Sequence, residues 1–582
     1  MGTLFRFGLV ASAGVTSSLV FSILAFLVYF ALPLFDQNLF FNFFTSHWDE
    51  THHLYGLLPM ILGTLYISSL ATLFAFAMSF SIASLIEHFL PPKLSRALEA
   101  LVVLLCGVPT VLYAFAALFL LVPYINAYLF SGHGLSIFSA SLVLSFVVLP
   151  TMSIMMLNAF KAISKRYKKG AFCLGASKRQ LFFCIVLPQS KEQIIGALVF
   201  GFARAVGDTL IALMLAGNAL QLPHALFDSA RTLTAHIALI NANDYESIAF
   251  KAIFLCGLIL FIFTCSVVLG LNYLKKTQNS TFSLPRYFIH GWMEKIIITM
   301  FYCFALIAFV CVALFFGFVL YKGISALSLK LIFDDASIWG VLSFKERVFD
   351  GIFNAIIGSF FVVFLAIILA LPLGFLTGIY LALFASSKIR SILGFFCEIL
   401  SSIPSIVIGL FGLSITIFLH KHYMASLYPS LIVSALALAV LIIPYIIKLT
   451  DAALTSIPST MQQIGLNLGA TKVQNLFLVQ LPYISKELLG GVILAMGRAV
   501  EDTAVIMMTG AVAMAGIPSS LLQKYEALPF FIYHISSEYA NKEQLNQGFG
   551  ASIILLTLSL CLFATAIFLQ KLIAKRSHIA IY

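Results

Sequence analysis

Apolar segments long enough to cross a membrane recur along this 582-residue chain, with short polar stretches between them. A helix needs about 20 apolar residues to cross the hydrocarbon core of a bilayer. The segments that meet this length lie at 7–35, 57–86, 97–122, 135–160, 194–217 and 249–274, then at 296–321, 352–386, 391–419, 428–447, 487–514 and 549–570. The pattern therefore predicts six membrane helices followed by six more.

Composition limits the class of protein. Hydrophobic residues make up 61% of the chain, charged residues make up 10%, and the mean hydropathy is +1.05. This number of polar side chains is too small to cover the surface of a soluble globular protein. We therefore expect an all-α integral membrane protein of about 12 helices. The uncharged run after Arg6 exceeds the apolar core of a secretory signal, and segment 7–35 is expected to be a retained first span.

The chain contains one unit twice. GAFCLGASKRQLFFCIVLP, starting at Gly170, and GFARAVGDT, starting at Gly201, return as IGLNLGATKVQNLFLVQLP and AMGRAVEDT at a constant offset of 294 residues. Such a repeat indicates a tandem duplication, with halves at 1–274 and 296–582 and a polar, basic linker at 275–295. An even number of spans in each half makes the two copies parallel in the membrane.

Lysine and arginine residues indicate the orientation, because basic loops are retained on the cytoplasmic side. With the N-terminus inside, cytoplasmic segments hold 23 of the 34 Lys and Arg residues, external loops hold nine, and Arg204 and Arg498 lie within spans. Both termini and the linker are therefore expected in the cytoplasm. The net charge of +11 is interpreted as a topology signal and not as a nucleic-acid-binding surface.

Segments 161–192 and 449–486 face the cytoplasm in this topology and share one pattern. Each has a short helical pattern, a Leu-Gly-Ala turn, a second amphipathic pattern and a Leu-Pro stop. Gly175 and Gly469 lie where the end of a helix needs a left-handed residue, which glycine adopts without steric cost. An ordinary connector would explain one such segment, whereas gap-free duplication favours a docking function for both.

These segments resemble the EAA loops of ABC-transporter importer permeases. GFARAVGDT, AMGRAVEDT, GVPTVLYAF, SIPSIVIGLFGL, TLTAHIA and PLGFLTGIYL make the chain most similar to the phosphate-specific transport (Pst) permeases, with a C-type first half and an A-type second half. The resemblance implies a type I importer (MetI-like) fold in the inner membrane of a bacterium. It also implies coupling loops that bind two copies of a cytoplasmic ATPase (PstB-like). The loop residues concerned are Lys169, Gly170, Ala171, Leu174, Gly175 and Ala176, and Gln463, Ile464, Gly465, Leu468, Gly469 and Ala470.

The chain departs from the family pattern in its acidic positions. The family's Glu-Ala-Ala is Lys-Gly-Ala at Lys169 and Gln-Ile-Gly at Gln463, so neither loop has the acid. The acidic residue after each membrane arginine is Asp208 or Asp502 in place of Glu.

The duplicated arginines carry the candidate site. Arg204 is about ten residues into its predicted helix, which places it roughly 15 Å deep, and a charge at that depth normally faces a partner or an aqueous path. The pattern leaves two interpretations open. Each Arg–Asp pair is either a latch between helices or part of a pathway in which the two arginines attract an oxyanion. The pathway set is Arg204, Asp208, Thr209, Arg498, Glu501, Asp502 and Thr503, and Glu501 replaces the Gly207 of the first half.

Several components are missing from the sequence. No G-x-x-x-x-G-K-[ST] occurs, so we expect no catalytic site and no cofactor in this chain, with ATP and Mg²⁺ used by the partner ATPase. Nine scattered cysteines and a few external histidines predict no metal site. The absence of an external domain favours a separate phosphate-binding protein (PstS-like) as partner. The predicted function is a phosphate importer permease. The alternatives are a permease for molybdate, tungstate or sulfate, an ion-coupled secondary carrier, and a further role in phosphate sensing.

Overall fold

The computed structural model describes residues 2–35, 40–128, 134–163, 165–240, 247–276, 291–334, 336–342, 348 and 351–579. The helices up to the linker are α1 Gly2–Phe35, α2 Leu58–Ser84, α3 Pro92–Leu105, α4 Thr110–Tyr128, α5 Ile137–Ala162, α6 Lys165–Cys173, α7 Lys178–Leu181, α8 Leu187–Gln189, α9 Lys191–Gly207, α10 Leu210–Leu215, α11 Leu233–Leu239 and α12 Ile248–Lys276. A two-stranded antiparallel hairpin, β1 Trp48–Asp49 and β2 Leu54–Tyr55, lies between α1 and α2.

The remaining helices repeat much of this order. They are α13 Gly291–Ile324, α14 Leu329–Phe333, α15 Ile338–Leu342, α16 Phe353–Ile379, α17 Ser387–Ser402, α18 Ser405–His422, α19 Leu431–Thr455, α20 Ser459–Asn467, α21 Lys472–Asn475, α22 Leu481–Glu501, α23 Thr503–Thr509, α24 Leu528–Glu538 and α25 Lys542–Ile579. π-helical turns at 85–89, 182–186, 380–384 and 476–480 extend α2, α7, α16 and α21. In the described part, 11 helices, or up to 12 with a bent pair counted as one span, are long and apolar enough to cross a membrane, which confirms the predicted number.

Four predicted spans are each two helices in the structure: two are divided at a proline, and two, 194–217 and 487–514, are divided at an aspartate. Segment 97–122 is divided between α3 and α4, and segment 391–419 between α17 and α18. The breaks lie at Pro109 and Pro404, since proline lacks an N–H and disfavours helical geometry in the residue before it. Hydropathy alone does not reveal the breaks at Pro109 and Pro404, because the residues around both prolines are also apolar.

The described residues form two compact units, and neither coincides with one half of the sequence repeat. One unit comprises Met1–Asp36, Asp244–Phe261 and Gly323–Tyr582, and the other comprises Gln37–Asn243 and Ile262–Lys322. In the first unit α1 packs against α16, α17 and α18. In the second unit α13 contacts first-half helices, for example through Phe301 on Phe80 at 5.6 Å between ring centroids. The repeat boundaries at 274 and 296 remain a prediction about the duplication.

The same anchor stabilises the core of each half. The N–H of Leu233 donates to Thr64 Oγ1 at 2.9 Å, and the N–H of Leu528 donates to Ser359 Oγ at 2.8 Å. A glycine one residue before each hydroxyl lets α2 and α16 approach the backbone that leads into α11 and α24. The residues of the two anchors correspond at an offset of 295, which is one more than the offset of 294 between the repeated motifs. The duplicated unit therefore keeps its packing even where the sequence match fades.

Candidate functional site

The arginine and the aspartate of the first half lie on two different helices. Arg204 is in the last turn of α9, and Asp208 follows the end of that helix in extended geometry, with φ −76° and ψ 130°. Asp208 Oδ1 accepts a hydrogen bond from the N–H of Ile211 at 3.0 Å and so caps α10. The predicted span 194–217 is therefore two helices, because Asp208 ends one helix and begins the next.

The second half has the same break. Arg498 lies in the last turn of α22, Asp502 is extended with φ −85° and ψ 110°, and its Oδ1 accepts from the N–H of Val505 at 3.0 Å to cap α23. A cation is stabilised at a helix C-terminus, and an anion at an N-terminus. In each broken span, the arginine therefore stabilises the C-terminus of the first helix, and the aspartate stabilises the N-terminus of the second.

The arginine of the second half is held by more groups. Arg498 Nη1 is 3.7 Å from Glu501 Oε2, Arg498 Nη2 is 3.7 Å from Asp502 Oδ2, and the Tyr445 hydroxyl hydrogen-bonds the guanidinium. Glu501 and Asp502 are only 4% and 5% exposed. Sequence reasoning missed Tyr445, because its counterpart at the repeat offset is Thr151 and the duplication gave no signal there.

Hydrogen-bond donors at these breaks lack a partner in both halves. Arg204 Nε, Thr209 Oγ1, Arg498 Nε and Thr503 Oγ1 are buried without a hydrogen-bond partner among the described residues. They are the only such atoms in the described part that recur at the repeat offset of 294. Because buried polar groups are normally satisfied, a repeated set of open donors indicates a place for a ligand or water that accepts hydrogen bonds.

The two duplicated loops, 161–192 and 449–486, have the same backbone geometry. Gly175 has φ +80° and Gly469 has φ +83°, which confirms the predicted left-handed residues. The N–H of Ala176 donates to the carbonyl of Ala171 at 3.0 Å, and the N–H of Ala470 to that of Gly465 at 2.9 Å. This six-to-one bond and the glycine form a Schellman end, which turns the chain sharply after α6 and α20.

The next helix of each loop begins with a capping box. Ser177 Oγ accepts from the N–H of Gln180, whose side chain accepts from the N–H of Ser177, and Thr471 and Gln474 repeat both bonds. A capping box satisfies two N–H groups that a helix start leaves open. Each loop is therefore a helix–turn–helix whose angle is determined by local bonds.

The remaining loop residues lie where the pattern placed them, in the helix before the turn or in the turn itself. α6 contains Lys169, Gly170 and Ala171, and α20 contains Gln463, Ile464 and Gly465. Leu174 and Leu468, at the turns, are 89% and 83% exposed. Two leucines so exposed at equivalent positions form an apolar contact surface, which the sequence analysis included without singling it out.

Opposite charges hold the loops that follow α10 and α23. Arg231 Nε donates to the carbonyl of Asn218 at 3.0 Å, whereas Glu526 Oε1 accepts from the N–H of Gly516 at 2.7 Å. Burial lowers the pKa of Arg231 and raises the pKa of Glu526. Burial also lowers the pKa of His236, beside Arg231, to about 3. No cluster of metal-ligating side chains occurs among the described residues.

Comparisons with known proteins give the family. The chain matches the family described as "Binding-protein-dependent transport system inner membrane component" over residues 79–277 and again over 370–578. The "Probable ABC transporter permease protein YqgH" of Bacillus subtilis is 32% identical over 241 residues, 41% of this chain and 78% of that protein. The "Phosphate transport system permease protein PstC" of Pasteurella multocida is 30% identical over 246 residues, 39% of this chain and 76% of that protein.

A solved structure of the MetNI methionine ABC transporter in an inward-facing conformation is 15% identical, with a TM-score of 0.32, and covers 38% of this chain and 96% of its own. The two matched regions together exceed half of the chain and contain both duplicated loops and both helix breaks. The family assignment confirms the all-α, type I importer fold expected from the resemblance. The chain belongs to the binding-protein-dependent transport system inner membrane components, as a multi-pass ABC importer permease subunit that carries the family's domain twice.

Proposed function

We propose that this chain is the complete membrane pathway of an ATP-driven phosphate importer, with one copy supplying both permease halves. The repeated set of open donors carries the proposal. Arginine N–H groups can only donate, and threonine hydroxyls can donate, so each break suits a ligand rich in acceptor oxygens. Phosphate is such a ligand, and a relative named as a phosphate permease supports that choice.

Transport requires that the ligand is held weakly, because a pathway must release what it binds. Arg498 lies 3.7 Å from Asp502, which caps the next helix, and Arg204 precedes the capping Asp208 by four residues. In each half this carboxylate limits the positive field that an oxyanion experiences. The charges therefore both stabilise the helix break and adjust the affinity. The latch interpretation and the pathway interpretation are compatible in this arrangement.

The partners in this proposal are two cytoplasmic ATPase subunits (PstB-like) and an external phosphate-binding protein (PstS-like). The Lys and Arg distribution of the sequence supports a cytoplasmic location for both termini and both helix–turn–helix loops. In this proposal the ATPase uses ATP and Mg²⁺ and binds the two loops around Leu174 and Leu468. When the ATPase dimer closes, it moves the loops and shifts the permease between its inward-open and outward-open states.

Labelled phosphate uptake into vesicles tests the pathway. The full chain is reconstituted with its ATPase and binding protein, and the double variant Arg204→Gln/Asp208→Asn is compared with the unchanged chain. Asparagine is also a good N-cap, so α10 keeps its start while the charge pair is removed. We expect at least a tenfold loss of uptake with normal assembly. Full uptake by the variant would leave only the latch.

The same vesicles identify the solute. Uptake that molybdate, tungstate or sulfate supports better than phosphate would assign the chain to that oxyanion. Uptake that continues without ATP under an ion gradient would indicate an ion-coupled secondary carrier.

Binding of the ATPase is tested at the exposed leucines. Burying a leucine stabilises a contact by about 2 kcal/mol, so Leu174→Ser or Leu468→Ser should weaken ATPase binding by about 30-fold. Neither change should affect folding, because both side chains face solvent. Leu226→Ser, at a leucine that is 51% exposed in the loop after α10, is the matched control and should leave ATPase binding unchanged.

A further inference from the structure

The two helix breaks differ in net charge although their backbones correspond. Arg498 is accompanied by two carboxylates, from Glu501 and Asp502, and the formal charges of the three side chains in this cluster sum to −1. In the first half the position of Glu501 is Gly207, so the corresponding residues have one guanidinium, one carboxylate and no net charge. The duplication therefore offers an internal comparison in which one carboxylate is the main difference.

The additional charge is held in place and shielded from water. Glu501 is 4% exposed, lies 3.7 Å from Arg498 and ends helix α22. Charges in such surroundings act with a lower effective dielectric constant than charges in water, so their influence on a nearby ion is larger. The open donors Arg498 Nε and Thr503 Oγ1 belong to this same break. An anion that used these donors would therefore experience the negative charge of the cluster.

Coulomb repulsion scales with the charge of the ion, so a dianion is disfavoured twice as strongly as a monoanion beside this cluster. Arg204 and Asp208 have formal charges that cancel, so the first half imposes no such net repulsion. Hydrogen bonding alone cannot separate the two charge states, because tetrahedral oxyanions of either charge offer acceptor oxygens to the same donors.

We propose that Glu501 is a specificity-determining residue that makes the second-half break favour monoanionic over dianionic tetrahedral oxyanions. This inference rests on the proposed function, in which an oxyanion passes the helix breaks. It assigns different tasks to the two halves. Arg204 and Thr209 attract the anion, whereas the Arg498 cluster discriminates by charge and releases it.

Two tetrahedral probes of fixed charge test the inference at one neutral pH and one ionic strength. Perrhenate is a monoanion and molybdate a dianion, and binding of each to the purified full chain is measured by the anion concentration that raises its unfolding temperature. In Glu501→Gln, which keeps the shape and removes the charge, the preference for perrhenate over molybdate should fall by about tenfold. An unchanged preference, or no binding of either anion to the unchanged chain, would overturn the inference.

A second measurement adds the charge to the other half. Gly207→Glu and Gly207→Gln have nearly the same shape and differ by one charge, so any distortion of α9 is common to both. In the complete importer, Gly207→Glu should transport labelled phosphate about tenfold more slowly than Gly207→Gln, because both breaks then repel the anion. Equal rates would refute the assignment of charge discrimination to this position.

These outcomes are separable from those of the proposed function. Full phosphate uptake by Arg204→Gln/Asp208→Asn would reject the pathway itself. Normal dependence on Arg204 together with an unchanged anion preference in Glu501→Gln would reject only the role of Glu501.

Discussion

The duplicated loops of the two halves have nearly identical backbones, whereas the helix breaks of the two halves differ. Each loop has a left-handed glycine, a Schellman end and a capping box, with bond lengths that agree within about 0.1 Å. At the breaks, the Arg and Asp positions are kept, but Glu501 and Tyr445 appear in one half alone. In the assembly that we propose, the loops contact two identical partners, and the breaks belong to a single asymmetric pathway.

This difference follows from what each region contacts in the proposed assembly. Two copies of one ATPase present the same groove twice, and this constrains both loops to one shape. A solute that moves through one pathway meets the two breaks once each, so nothing requires them to be equal. Matched variants at corresponding positions of the two halves can therefore show which regions of the halves are equivalent and which are not.

Among effects that should be equal in the two halves, the largest loss of stability is expected at the glycines that let α2 and α16 approach the anchor backbone. A Cβ at Gly63 would lie 2.5 Å from the carbonyl oxygen of Arg231, and a Cβ at Gly358 would overlap the carbonyl oxygen of Glu526. Gly63→Ala and Gly358→Ala should each destabilise the fold by about 1–3 kcal/mol, since neither backbone can move freely. Thermal unfolding measures the loss, and Gly270→Ala, which meets open space, is the control. Unequal losses would contradict the equivalence of the anchors.

The left-handed glycines should show the next largest effect. Gly175→Val and Gly469→Val meet no neighbouring atom, so the cost is the strained backbone, about 1–2 kcal/mol in each loop. The turn should open and uncouple ATP hydrolysis from transport, by the same factor in both halves. Parallel assays of ATPase activity and phosphate uptake measure the coupling. Gly196→Val, in open space on α9, is the control, and normal coupling in either loop variant would exclude that loop from docking.

Much of this architecture could be predicted from the sequence, and the reasons differ from region to region. The loops were predictable because glycine at a helix end and Ser or Thr three residues before Gln are local signals. The number of membrane helices followed from length and hydropathy. The breaks at Asp208 and Asp502 were missed, because the run of apolar residues continues across them and only the capping preference of Asp marks the start of α10 and α23.

Other features could not be predicted because they depend on tertiary contacts. The sequence does not show that α1 packs on second-half helices, since apolar helices have similar surfaces. Tyr445 reaches Arg498 from α19, more than 50 residues earlier in the chain, and no local pattern links the two. The equivalence of Arg231 and Glu526 was hidden by their opposite charges and by the change of offset from 294 to 295.

The capping boxes should give a smaller and again equal effect. Ser177→Ala and Thr471→Ala each remove one bond to the start of a helix, at 3.2 and 3.3 Å, and should destabilise the loop by about 1 kcal/mol. Hydrogen exchange at the amides of 178–181 and 472–475 reports this loss directly. Ser177→Thr and Thr471→Ser, which keep the cap, are the controls. Faster exchange in only one of the two alanine variants would show that the loops differ in local stability.

The smallest loss of loop stability is expected at a position where the two loops have different residues and different contacts. Lys168 Nζ is 2.7 Å from Glu87 Oε1, both side chains are about 20% exposed, and the ion pair ties the first loop to the π-helical end of α2. The second loop has Gln462 at this position, whose side chain donates to the carbonyl of Ile457 instead. Lys168→Met should loosen the first loop by less than about 1 kcal/mol, because partly exposed ion pairs contribute little. Hydrogen exchange should therefore rise at 165–181 and stay constant at 459–475, with Lys161→Met, in a more exposed pair, as the control. If the second loop responded equally, the two loops would be coupled through the rest of the chain, and their similarity would reflect shared stability as well as a shared partner.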